Sequence, residues 1–359
     1  MSQETKSSPL KHVSHWKLYL VVLIIMFLLV LILALNFGYA TIPFRDILQI
    51  LAKNTPFIGN WLSPSGFSPT DEIIIIQLRL PRVLSGALVG ASLATAGAIY
   101  QGIFRNPMAD PYIIGSMSGA SLGAALVLVL GIGVSLFGVN TLQIFAFLGS
   151  LATVLLVYTI SKSGSRVPVT MLLLTGIAVT YFQSGIVTFL QTIAGDKVLH
   201  GLTFWLIGSL SSTEKWADVW SVFPFLILGF LVAYFYARDL NILALGEDQA
   251  QHLGVEIERV KKILLVCATL MTAASVSISG LIGFVGLIIP HLTRLVVGPD
   301  HRILLPTSCI VGASYLMACD GIARVIMGSG EAPVGVITAL AGGPFFIYLL
   351  RRKKRGYTM

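Results

Sequence analysis

Charge is what this chain has least of. Its 359 residues include only 16 Asp and Glu against 24 Lys and Arg, and charged residues make up 11% of the total. Ordinary soluble domains carry about a quarter of their residues charged, so composition excludes that class. Cysteine is nearly absent too: Cys267, Cys309 and Cys319 all fall in apolar runs. Three thiols without metal-ligand spacing form neither a disulfide framework nor a zinc site. No Gly-x4-Gly-Lys-Ser/Thr segment occurs, so the chain has no loop to cradle ATP phosphates. No Ser/His/Asp or Cys/His arrangement points to nucleophilic catalysis. We assign no catalytic residue, no metal ligand and no cofactor to this chain. If ATP drives its work, ATP and Mg belong to a separate subunit.

What remains is hydrophobic. Apolar residues make up 55% of the chain, mean hydropathy is +0.86, and runs of about 20 apolar residues recur along it. The expected fold is all-α, a polytopic membrane protein with about ten transmembrane helices. We place the spans at 16–37, 80–104, 113–133, 142–160, 168–193, 217–236, 262–280, 283–298, 303–327 and 334–350. The apolar run from Leu18 to Leu35, preceded by Lys6, Lys11 and Lys17, exceeds the usual ~7–15-residue core of a signal peptide, so it reads as a retained span. A net charge of +8 need not imply nucleic acid. With the N-terminus inside, most basic residues, including Arg105, Arg238, Arg259, Lys261, Lys262 and the RRKKR at 351–355, fall in inner segments. Only Arg45, Lys53, Arg79, Arg82, Lys197 and Lys215 fall in outer ones. This asymmetry predicts both termini in the cytoplasm.

Small residues four apart, at Gly86 and Gly90 and again at Gly115, Gly119 and Gly123, predict close helix contacts in lipid. A faint echo at an offset of 183 pairs Ala91, Ser92, Gly97, Pro107 and Gly115 with Ala274, Ser275, Gly280, Pro290 and Gly298, as internal repeats would.

Four constellations carry functional information. Residues 101–115, QGIFRNPMADPYIIG, place Arg105, Asn106, Asp110 and two prolines between apolar segments. Such a stretch cannot cross hydrocarbon as an unbroken helix, so it predicts a polar elbow at a membrane surface. The loop 238–262 is polar, yet holds apolar residues at Leu245, Ala250 and Leu253 between Gly246 and Gly254. A short helix there could dock into a groove of a soluble partner or lie on the bilayer. Thr180, Gln183, Ser184, Thr188 and Gln191 share one helical face of the fifth span. They either line a path or glue helices together. Asp320 and Arg324, four apart, form a candidate ion pair.

Together with the RLPR at 79–82, the elbow resembles the FecCD-type permease family of binding-protein-dependent ABC importers for iron chelates, haem and cobalamin. GFVGLIIPHLTRLVVGPDHR at 283–302 and APVGVITALAGGPFFIYLL at 332–350 also match its segments, and the resemblance runs from about 74 to 352. It implies a type II ABC importer permease fold, with one transmembrane domain over 1–359 and a coupling loop at 238–262. It further implies a cytoplasmic (inner) membrane location and a homodimer joined by two ABC ATPase subunits and an extracytoplasmic substrate-binding protein. Under this resemblance Leu245, Gly246, Ala250, Leu253 and Gly254 meet the ATPase. Arg79, Arg82 and Arg324 meet the binding protein. The fifth-span stripe lines the path, and Asn106, Met108, Val169 and Thr170 form an inner gate. The implied cargo is an iron(III)-siderophore-type chelate, with cobalamin or haem as alternatives. From a different class, an ion-coupled secondary transporter would need an ionisable centre at mid-membrane, for which Asp320 is the candidate.

Overall fold

The computed structural model describes residues 16–38, 40–55, 66–133, 135–136, 139–164, 166–213, 215–326 and 331–354. Lys6, Lys11 and Arg355, counted in the charge asymmetry, lie outside them. In chain order the helices begin with α1 (Trp16–Asn36), α2 (Phe44–Asn54) and α3 (Pro69–Ile73). A π-helical turn at Ile74–Arg79 carries α3 without a break into α4 (Leu80–Ile103). After α5 (Ser116–Leu130) comes a small ribbon, β1 (Ser135–Leu136) and β2 (Val139–Asn140), paired antiparallel with Leu136 opposite Val139. Then follow α6 (Thr141–Ser161), α7 (Val169–Ile193), α8 (Asp196–Ile207), α9 (Trp216–Phe235), α10 (Ala237–Leu243) and α11 (Glu247–His252). The chain closes with α12 (Ile257–Ser279), α13 (Val285–Val297), α14 (His301–Ile326) and α15 (Val334–Lys354).

All ten expected spans correspond to apolar helices. Seven helical segments are long enough to cross a membrane, and α5, α13 and α15 are shorter apolar helices. Two boundaries and two connections differ from expectation. The second span starts at Pro69 rather than 80, so Arg79 lies within a helix as Arg82 does. Helices α2 and α8 occupy segments read as outer connections. Helix α12 starts at Ile257, which brings Arg259, Lys261 and Lys262 into it.

Helix α4 is the axis of the bundle. From Pro81 to Ile103 all of its residues are buried except Leu84 and Leu88. It packs against α14, α12, α13 and α9, while α5 packs on α6 and α7, and α1 lies against α14. This burial rests on small residues. A Cβ at Gly97 would overlap the Gly286 carbonyl on α13, one at Gly90 the Gly312 carbonyl on α14, and one at Gly119 the Gly149 carbonyl on α6. Of the predicted positions, Gly90, Gly119 and Gly123 make such contacts; Gly86 meets only the Leu210 side chain, and Gly115 is not helical but begins α5 with φ 86°. The repeat echo has no such counterpart. Pro107 stands in the elbow whereas Pro290 lies inside α13, and Gly97 is mid-helix whereas Gly280 caps α12.

The elbow is built by local hydrogen bonding. Asn106 N–H donates to the Gln101 carbonyl (3.2 Å) and Arg105 N–H to the Gly102 carbonyl (3.3 Å). Arg105 takes φ 50°, so α4 ends in a Schellman cap with arginine where glycine is usual. Pro107 forbids continuation. Asn106 Oδ1 accepts from Met108 N–H (2.9 Å) and Asp110 Oδ1 from Tyr112 N–H (2.9 Å), two side-chain turns that redirect the chain into α5. Burial pushes the Asp110 carboxyl up to about 6, with the Tyr112 N–H opposing it.

Both ends of the described chain point the same way. The Trp16 ring at the start of α1 lies 5.4 Å from the Arg302 guanidinium at the start of α14. Helix α15 begins at the opposite end of the bundle, where Gly335 N–H donates to the Gly208 carbonyl (3.0 Å), and runs back. The end that carries α10 and α11 is called the loop end below, and its opposite the far end.

Gly97→Ala is expected to lower thermal stability by about 1–3 kcal/mol, because a backbone carbonyl cannot yield to a methyl group. Gly201, with open space around it, is the control: Gly201→Ala should be neutral or stabilising by up to ~1 kcal/mol in the same melting assay.

Candidate functional site

At the far end, Asp320 (1% exposed) collects two guanidinium groups. Arg82 reaches it from α4 at 2.9 Å, and Arg324 from one turn along α14 at 3.0 Å. Arg82 also bonds Glu331 at 2.7 Å. Arg324 turns back to donate to the carbonyls of Ala34 (3.0 Å) and Phe37 (2.8 Å), and Arg79 donates to those of Leu35 (2.9 Å) and Ala40. These are carbonyls at the C-terminal end of α1 and just beyond it, which a helix cannot satisfy within itself. Two arginines brought from distant sequence positions thus cap α1, which has no basic residue in its own last turn. In the chain by itself these arginines serve the bundle. Arg79, Arg82 and Arg324 are all buried, with their donors committed to Asp320, Glu331 and α1. Arg79 and Arg82 oppose the positive-inside trend because they hold helices together.

The polar stripe on α7 also divides. Gln183 is buried: it accepts from Ser118 Oγ of α5 (2.7 Å) and donates to Thr153 Oγ1 of α6 (2.7 Å). Thr180, half-buried, lies 3.4 Å from the same Ser118 hydroxyl. Ser184 and Thr188 face outward and Gln191 is half-buried. At 100° per residue the stripe straddles an edge. Leu172, Gly176, Gln183 and Val187 form the buried side. Ser184 and Thr188 border a broad exposed face with Leu174, Ile177, Tyr181, Phe182 and Phe189. Gln183 therefore joins α7 to α5 and α6, the interhelical reading of the stripe, while Ser184 and Thr188 stay free to line a path.

At the loop end, Gly246 (φ 127°) caps the start of α11 and Gly254 (φ 83°) follows its end. Gly254 N–H bonds the Gln251 carbonyl (3.0 Å) and Val255 N–H the Ala250 carbonyl (3.1 Å), a second Schellman cap. Two residues of the expected docking edge, Leu245 and Leu253, stand about 60% exposed, with values of 60% and 62%. Ala250 does not. It is fully buried in the protein's own core with Leu240 and Leu243, so it anchors α11 and offers nothing to a partner. Sequence reading missed what positions this segment. Lys261, 3% exposed, bridges Glu247 of α11 (2.7 Å) and Glu258 of α12 (3.3 Å), and Glu258 accepts Val167 N–H (3.0 Å) from the α6–α7 connection. A depression of about 510 Å³ lies beside these carboxylates, bordered by Arg166, Asp248, Gln251 and Arg259. The i,i+3 spacing of Glu258 and Lys261 was the available signal.

The gate residues fall into two pairs. Asn106 and Met108 are locked together by the elbow turn, whereas Val169 and Thr170 open α7 after Pro168. Among the described residues no hydrogen bond joins one pair to the other. Cys267, Cys309 and Cys319 are free thiols among packed side chains.

Comparison with known proteins places this geometry. Residues 24–352 match the FecCD transport family. The chain is 46% identical over 289 residues to the cobalamin import system permease protein BtuC of Halobacterium salinarum, covering 80% of this chain and 76% of that protein. It is 39% identical over 286 residues to the hemin transport system permease protein HmuU of Yersinia pestis, covering 78% and 84%. Further relatives are import permeases for iron(3+)-hydroxamate and molybdate. A solved inward-facing conformation of a metal-chelate type ABC transporter superposes with TM-score 0.79 at 33% identity, covering 93% of this chain and 99% of that one.

Replacing Gln183 by Leu would leave Ser118 and Thr153 without their shared partner. Gln183→Leu is expected to lower the melting transition of the purified protein by about 1–3 kcal/mol of stability, and an unchanged transition would return Gln183 to the solvated face.

Proposed function

The chain belongs to the FecCD transport family, and from that membership we propose that it carries a metal-bearing organic chelate across the membrane. As a family member it is a multi-pass permease subunit of an ABC importer, working with ATPase and binding-protein partners. The observation that carries the cargo reading is the exposed face of α7. There the Ser184 and Thr188 hydroxyls stand beside Tyr181, Phe182 and Phe189. Hydroxyls among large rings suit the organic shell of a chelate, whereas a bare divalent ion calls for a cage of carboxylates or imidazoles. Within the class, similarity to a cobalamin permease favours cobalamin. Iron(III)-siderophore complexes, ranked first on sequence, become the second candidate, and haem the third.

The same face supports a homodimer whose two α7 helices enclose the path. Basic residues concentrated at the loop end support a cytoplasmic placement of that end and of both termini. Leu245 and Leu253, held out by the glycine caps, would then enter the ATPase, and Asn106, Met108, Val169 and Thr170 would close the path on that side. ATP and Mg are the ATPase's ligands. Asp320 argues against ion coupling, because both arginines already hold its carboxylate.

Uptake of radiolabelled cobalamin, iron(III)-siderophore and haem, measured in cells lacking and regaining the gene, tests the cargo. Restored uptake of cobalamin alone is the expected result; restored uptake of free metal alone would overturn the chelate reading.

Leu253→Glu should abolish ATPase copurification while the permease melts normally. Ala250→Glu should instead reduce the yield of folded permease, because it buries a charge. Normal copurification with Leu253→Glu would remove this surface from the ATPase contact.

A further inference from the structure

The coupling segment is attached to the transmembrane bundle by a side chain that neither the fold nor the family reading assigns. Asn241, on α10, faces the first residues of α14. Its Oδ1 accepts from both His301 N–H (2.8 Å) and the His301 ring Nδ1 (2.8 Å), and its Nδ2 donates to Asp300 Oδ1 (2.7 Å). One carboxamide thus satisfies two donors and one acceptor at the N-terminus of α14. An isosteric leucine could do none of this. Because Asn241 Oδ1 can only accept, His301 Nδ1 carries the proton. The bond also fixes the ring against Gly102, near the end of α4. Asp300 is held from the other side by Arg302 at 2.6 Å. Burial opposes ionisation, yet the hydrogen bonds from Arg302 and Asn241 hold its carboxyl down to about 2.

The far end of α14 is equally committed. This helix of 26 residues, about 39 Å long at 1.5 Å per residue, ends in Asp320 and Arg324. Asp320 grips Arg82 of α4, and Arg324 grips the carbonyls of α1. A displacement of α10 therefore cannot be absorbed at the α10–α14 junction without breaking three hydrogen bonds. It is passed into a strut whose other end holds α1 and α4.

We propose that Asn241 is a positioning residue for transport. Through Asp300 and His301 it makes α14 follow the coupling helices, so that ATPase movement at the loop end reaches the far end of the bundle. The proposal rests on the reading that 238–262 docks the ATPase. Leu253→Glu copurification tests that reading separately.

The complete importer, reconstituted with its ATPase and binding protein in proteoliposomes, gives the test. The readout is radiolabelled cobalamin and iron(III)-siderophore taken up per ATP hydrolysed. Asn241→Asp sets a carboxylate against Asp300 and should lower this ratio roughly tenfold while ATP hydrolysis persists. The exchange Asn241→Asp with Asp300→Asn restores a donor–acceptor pair between positions 241 and 300, while giving up the carboxylate that Arg302 holds. It should return the ratio to within about threefold of wild type. A cysteine at exposed Ile322 should change thiol reactivity on ATP binding in the wild-type background and the exchanged pair, and not in Asn241→Asp. If Asn241→Asp fails to assemble, Asn241→Ser, which cannot span to Asp300, carries the same readouts. Wild-type uptake per ATP in the single variant, or an exchanged pair that recovers no more than Asp300→Asn alone, overturns the proposal. So does a fall in melting temperature with the ratio unchanged.

Discussion

Asp320 has almost no solvent and two positive partners, and much of the bundle depends on that arrangement. A buried carboxylate is tolerable only when paired and hydrogen-bonded. Arg82 and Arg324 satisfy it from two different helices. Each arginine then has donors left over, and these go to Glu331 and to the open carbonyls at the end of α1. Four separate pieces of chain, α1, α4, α14 and the segment before α15, meet there through one group. Removing one member of such a cluster leaves an uncompensated buried charge, worth about 3–5 kcal/mol. The pairing also fixes the height of α4 against α14, which in turn sets the glycine contacts between them.

Those contacts work by a different rule. In lipid no hydrophobic force drives one helix onto another, so packing depends on how closely backbones can approach. Gly90 against Gly312, Gly97 against Gly286 and Gly119 against Gly149 bring carbonyls to distances that a methyl group would forbid. The result is a rigid inner group around α4 and a more exposed set, α1, α7 and α9, whose large apolar side chains face outward. The surface left to a partner or a path is on the exposed set, while the inner group supplies the frame.

The loop end follows the same economy. Two glycine caps project Leu245 and Leu253, Lys261 pins α11 to α12, and Asn241 pins α10 to α14. A docking segment that merely lay on the surface could move without effect. One tied to two transmembrane helices by part-buried hydrogen bonds and an ion pair would move them, which is the link the proposed coupling role requires.

Composition and periodicity alone established the membrane class, the ten spans and the elbow at 104–115. Hydrocarbon demands about 20 apolar residues per crossing, and proline with charge cannot hide there. The glycine breaks at Gly246 and Gly254 were equally legible, because both take positive φ, which glycine alone adopts freely. Partners distant in sequence left none. That Arg79 and Arg324 cap α1, that Gln183 joins α5 to α6, and that Ala250 faces inward while Leu253 faces out were decided only by packing. A helical face can be read from spacing to within about a third of a turn. Which neighbour covers that face depends on other helices, 30 to 65 residues away for Gln183 and 290 for Arg324. For Thr180 to Gln191 the edge between buried and exposed ran through the stripe itself. For Arg82 the partner acid is 238 residues distant, so only the fold could show that a charge placed against the topological trend was there to be buried.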